Sequence, residues 1–90
     1  MASERLRLWA VSSGWDGPFQ HEEVIVVAVD AVAARRAAEG VFETVVQPVC
    51  RARMRIADLG EVRDGAVSPA RRGGEAFARD GVPAEIACGE

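Results

Sequence analysis

The chain has 90 residues, 49% of them apolar and 28% charged, with 14 acidic side chains against 11 basic ones and a formal net charge of −3. That length supports one small core and no second domain, and the composition is that of a folded protein rather than a disordered one. The acidic balance argues against a general nucleic-acid binder, whose domains carry a basic footprint with a pI above about 9.

Arg5 to Val11 alternates strictly, with Leu6, Leu8 and Ala10 on one side and Arg5, Arg7 and Trp9 on the other. This predicts a half-buried strand. Ser12 to Gln20 is a loop, with Gly14, Gly17 and Pro18 as turn residues. Glu22 to Val29 is an almost continuous apolar run rich in β-branched residues. It predicts a second strand that is central or covered on both faces. Asp30 is a good N-cap, and Ala34, Ala37, Ala38, Val41, Phe42 and Val45 recur at helical spacing, so a helix is expected over 31–46, stopped by Pro48.

Val49 to Ala57 alternates again, with Cys50, Ala52, Met54 and Ile56 facing one way and Arg51, Arg53 and Arg55 the other. A third strand is expected there. The strand–helix–strand connection implies a right-handed crossover and parallel pairing. The sheet order 1-2-3 is preferred because it keeps the arginines of the first and third strands apart. Beyond Leu59 a hairpin at Asp64-Gly65, a helix start at Ser68-Pro69 and one helical turn at Glu75 to Arg79 are expected. Residues 84–90 read as a short edge strand or a tail. The expected fold class is α+β: a small ββαβ sheet with one main helix on one face and an irregular C-terminal extension. Residues 1–60 form the core and 61–90 the extension of the same single domain.

Two cysteines are too few for a disulfide scaffold and match no zinc spacing, so both are expected as free thiols, Cys50 packed and Cys88 exposed in the tail. His21 is the only histidine, and no signature surrounds either cysteine. Adjacent Glu22 and Glu23 face opposite sides of a strand. No glycine-rich phosphate loop is present. The expectation is a protein that is not an enzyme and holds neither cofactor nor metal.

Two surfaces stand out. The loop around Trp15, Asp16, Phe19, His21, Glu22 and Glu23 combines aromatic anchors with an acidic rim, a composition suited to protein contact. Arg5, Arg7, Arg51, Arg53 and Arg55 would line one sheet face and offer the alternative, a nucleic-acid surface. All eleven basic residues are Arg, which reflects GC-rich codon usage, so the choice of Arg over Lys is not itself evidence of phosphate recognition.

The stretch Leu8-Trp9-Ala10-Val11-Ser12-Ser13-Gly14-Trp15, the strand Glu23-Val24-Ile25-Val26-Val27-Ala28 and the helix segment Ala34-Arg35-Arg36-Ala37-Ala38 resemble small phage and prophage proteins. These share a Trp-x-Val strand, an acidic tip and an Ala-Arg-rich helix, and the resemblance covers about the first 60 residues. It implies an inhibitor of a host defence complex, in its most concrete form an anti-CRISPR protein that blocks nucleic-acid binding by a CRISPR effector. No catalytic residue follows from it. The partner expected is a host protein complex rather than nucleic acid or a membrane. No run of about 18 apolar residues is present, and Met1-Ala2-Ser3-Glu4-Arg5 opens no signal peptide, so a cytoplasmic location in a bacterial host is expected. The expected state is a monomer or weak dimer, with self-assembly through an exposed strand edge as a third reading.

Overall fold

Residues 8–11 are apolar on both sides of the strand, Leu8 and Ala10 on one, Trp9 and Val11 on the other. Such a strand needs cover on both faces and belongs in the middle of a sheet. The computed structural model, which describes residues 5–17, 23–62, 64–65, 72 and 74–88, places it there. Strand β1 (Arg7–Ser12) lies between β2 (Glu23–Ala28) and β3 (Arg55–Glu61) and is antiparallel to both. The two-residue β4 (Val82–Pro83) completes the order β2-β1-β3-β4.

The fold is α+β, as expected, but the 1-2-3 order is not the one adopted. β2 is an edge strand, and β2 and β3 run in the same direction with β1 between them instead of pairing. The apolar run of β2 misleads because only its even positions are covered. Val26 and Ala28 are buried, whereas Ile25 and Val27 are 51% and 48% exposed.

Helix α1 (Ala31–Thr44) starts where the Asp30 carboxylate accepts the N–H of Ala33 at 2.8 Å, satisfying one of the orphan donors of the first turn. It lays Ala34, Ala38 and Phe42 on Val11, Val26, Ala28 and Ile56, with Trp9 packed against the same core. The indole N–H of Trp9 donates to the carbonyl of Ala28 at 3.0 Å. Trp9 therefore lies on the helix-covered face and not on an outer face shared with arginines.

The helix ends at Thr44, short of 46. Gln47 N–H donates to the Phe42 carbonyl at 2.7 Å and Val46 N–H to the Glu43 carbonyl at 3.1 Å, with Val46 at φ +57. This is a Schellman cap, whose left-handed position usually holds glycine.

The third strand also differs from expectation. Arg51–Arg53 form a 3-10 turn, and β3 begins only at Arg55. The turn is closed by Arg53 N–H to the Cys50 carbonyl at 2.9 Å. Met54 and Ile56 keep their inward places, but Ala52 is exposed. Further on, the pairing with β1 shifts by one residue, from Trp9–Asp58 to Leu8–Gly60, and Gly60 takes φ +110. A glycine suits such a bulge.

The second sheet face is covered by helix α2 (Glu75–Arg79), which brings Ala76 and Phe77 onto Leu8, Ala10, Ala57 and Leu59. This is the helical turn expected there. Residues 84–87 form helix α3 (Ala84–Ala87) instead of an edge strand: Cys88 N–H bonds to the Ala84 carbonyl at 3.0 Å, and the four-residue spacing turns both Ala84 and Cys88 into the main core. Cys88 is thus buried and Cys50 half-exposed, the reverse of the expectation, and both are free thiols. The residues that would follow the expected Asp64-Gly65 hairpin turn, 66 and 67, and the expected helix start Ser68-Pro69 lie outside the described residues.

Candidate functional site

The loop after β1 is fastened to the 3-10 turn by backbone contacts. Ser13 is fully buried. Its carbonyl accepts the N–H of Cys50 at 2.8 Å, and its hydroxyl accepts the N–H of Trp15 at 3.2 Å. The hydroxyl of Ser12 accepts the N–H of Arg55 at 2.9 Å. Between these ties sits Gly14, at φ +72. A β-carbon there would stand 2.5 Å from the Cys50 carbonyl oxygen and 2.7 Å from the carbonyl carbon of Arg53. Two backbones meet at a distance that only glycine permits.

This anchorage presents Trp15-Asp16-Gly17 as a tip with a fixed base. The Trp15 indole lies over Gly17, where any side chain would collide with it. Trp15 remains 38% exposed and the Asp16 side chain 92% exposed. Gly14, Trp15, Asp16, Gly17, Cys50 and Arg53 enclose an open hollow of about 250 Å³. Asp16 and Arg53 stand 3.9 Å apart at its rim, both well exposed. A pair that loose and that solvated holds little energy, so each group remains available to another partner.

Of the expected loop residues, Trp15 and Asp16 are brought together at this hollow. Glu23 is exposed at the start of β2 and is paired in register with Ser12, at the same end of the sheet. Phe19, His21 and Glu22 lie outside the described residues. Sequence reasoning did not place Cys50 and Arg53 beside Trp15. The only trace of that contact in the sequence is the glycine at position 14, which needs the structure to explain it.

The five arginines do not form the expected ladder. Arg5 meets Glu61 at 2.8 Å, and Arg7 meets both oxygens of Asp58 at 2.9 and 3.1 Å. Arg51 and Arg53 are carried by the 3-10 turn, not a strand, with Arg51 3.3 Å from Glu39. Arg55 is half-buried and donates to the carbonyl of Gly81. Apart from Arg53, which faces Asp16 only loosely at 3.9 Å, each guanidinium is held by an acceptor, which lowers the positive potential that a phosphate backbone would meet.

A larger open groove, about 730 Å³, runs between the C-terminal half of α1 and residues 46–51. Phe42, Val46, Pro48 and Val49 line it, and the ion pair of Glu39 and Arg51 lies along it. Among the described residues no group of three His, Cys, Asp or Glu side chains is placed to hold a metal, and no helix is long and apolar enough to cross a membrane. Comparison with protein-family models, curated proteins and solved structures finds no match to this chain.

Proposed function

We propose that this chain is a non-enzymatic binding protein that presents the Trp15-Asp16 tip to a protein partner. The observation that carries the reading is the combination of an exposed indole and carboxylate with a base locked by Ser13, Gly14 and Cys50. A contact loop already held in one shape loses little entropy on binding, and aromatic anchors supply most of the energy of small interfaces. In its most concrete form the partner is a host defence complex such as a CRISPR effector. Asp16 and Glu23 would then lie on an Arg- or Lys-rich surface that otherwise holds nucleic acid, with Trp15 filling a pocket beside it. Charge complementarity of this kind sets specificity and association rate. A cytoplasmic location in a bacterial host belongs to the same proposal.

The test is a nuclease-treated pull-down with three baits: wild type, Trp15→Ala and Asp16→Arg. The expected result is one stoichiometric complex on the wild type, weakened at least about 30-fold by Trp15→Ala, which is about 2 kcal/mol. The nucleic-acid binding of that complex should fall as wild-type protein is added. Equal recovery on all three baits would remove the tip from the interface. Recovery of nucleic acid alone, and only when nuclease is omitted, would move the assignment to the arginines.

A further inference from the structure

The outer edge of β2 has no strand partner among the described residues. It carries none of the usual protections of an edge: no proline, no bulge and, between Val24 and Ala28, no charge. Its exposed positions are instead Ile25 and Val27, on the sheet face away from α1, while α1 rests on Val26 and Ala28 and reaches across to β1. The helix flank over this edge can be identified. Glu39 points to Arg51, and the carbonyl of Ala31 receives the Cys88 thiol, so that flank of α1 faces the 3-10 turn and α3. At 100° per residue, Ala37 and Val41 lie nearly opposite Glu39, toward the β2 edge, and both are exposed.

We infer that this edge pairs with the same edge of a second copy, antiparallel, about a two-fold axis through Val26. The register follows from the side chains. Pairing Val26 with Val26 sets each Ile25 beside Val27 of the second copy as cross-strand neighbours on the sheet face away from α1, so the exposed apolar residues of the two chains shield each other's flanks. It also keeps the two Glu23 carboxylates about 20 Å apart, six residues at about 3.4 Å each. Centring the axis on Ile25 would put Glu23 against Val27. An odd offset would turn one sheet over and set Ile25 beside a residue that lies beneath a helix. With strands about 4.8 Å apart and α1 seated between β2 and β1, the two α1 helices run about 10 Å apart. That is helix packing distance, and Ala37 and Val41 are small enough to allow it.

The size of the contact fixes its strength. The wall is about 20 Å long and two layers high, a footprint of about 400 Å². A stable complex uses about 800 Å² from each partner, so this dimer belongs to the weak, reversible class.

Sedimentation of the full chain between about 10 µM and about 1 mM tests it, the range where weak association appears. The average mass should rise from 9.6 kDa toward twice that value. Ile25→Glu and Val27→Arg should each hold the mass at the monomer. An equimolar mixture of the two should recover it, because the register sets the new carboxylate opposite the new guanidinium. Ile86→Glu, on α3 and 72% exposed, should dimerise as the wild type does. If either edge variant fails to fold, amide shifts of the wild type on dilution decide, and the largest should fall at 23–28. A wild type that stays monomeric to about 1 mM overturns the inference and leaves the edge to a strand of another protein. A mass rise untouched by both variants overturns it as well, and a mixture that fails to recover overturns the register.

Discussion

The N–H of Cys50 donates to the carbonyl of Ser13 at 2.8 Å, and the next residue, Gly14, sits against the Cys50 carbonyl and the Arg53–Met54 peptide with no room for a side chain. This contact joins the loop after β1 to the turn before β3, so the candidate site depends on it. Gly14→Ala must either push back the Cys50–Arg53 backbone or abandon φ +72. Left-handed strain and overpacking each cost about 1–3 kcal/mol, and urea unfolding should show a loss of about 2–4 kcal/mol. A loss below about 1 kcal/mol would mean that the loop does not dock on the turn.

Val46 is the opposite case. It is a β-branched residue in the left-handed position of the α1 cap, with 76% of its surface exposed. Its replacement by glycine removes strain of about 1–2 kcal/mol and adds unfolded-state entropy of about 0.5–1 kcal/mol. Val46→Gly should therefore stabilise the protein by up to about 1 kcal/mol, a rise in Tm of about 4–8 °C per kcal/mol for a domain of this size. A lower Tm would show that the Val46 side chain makes a contact worth more than its strain.

How far the sequence could be read follows from which signals are local. The Asp30 cap, the Ala34-Ala38-Phe42 stripe and the first two strands depend on neighbours in the chain, and they were legible. The position of β2 at an edge was not, because a run of Val and Ile reads the same whether one face or two is covered. The arginines at 51, 53 and 55 alternate as a strand would, yet residues 51–53 form a 3-10 turn that is tied to the loop after β1 by the hydrogen bond between Cys50 and Ser13. That bond is long-range and leaves no periodic trace. The Trp15-Asp16 tip could be singled out by composition, whereas its neighbours Cys50 and Arg53 could not.

The two thiols should separate by rate. Cys50 is half-exposed at the rim of the hollow, and Cys88 is buried with its thiol 3.7 Å from the Ala31 carbonyl. A thiol reagent should modify Cys50 in the native protein and reach Cys88 only through opening of the C-terminal segment. Two kinetic phases of equal amplitude are expected, the slower one vanishing in Cys88→Ala. A single fast phase for both thiols would place Cys88 at the surface.

The two tryptophans occupy different environments, and their fluorescence can tell them apart. Trp9 packs beneath α1 with its indole N–H bonded to the Ala28 carbonyl, while Trp15 stands exposed at the loop tip. Trp9→Phe removes the indole donor from the carbonyl of buried Ala28 and should cost about 1–2 kcal/mol, leaving a folded protein whose emission comes from Trp15 alone. That emission should be red-shifted and readily quenched by acrylamide. Trp15→Phe should leave a blue-shifted signal that resists the quencher, with little change in stability. If both single-tryptophan proteins quench alike, Trp15 is covered in solution and cannot serve as the anchor proposed for it. If they differ, the Trp9→Phe protein becomes a direct probe of the tip, because a partner seated on Trp15 must shield it from the quencher.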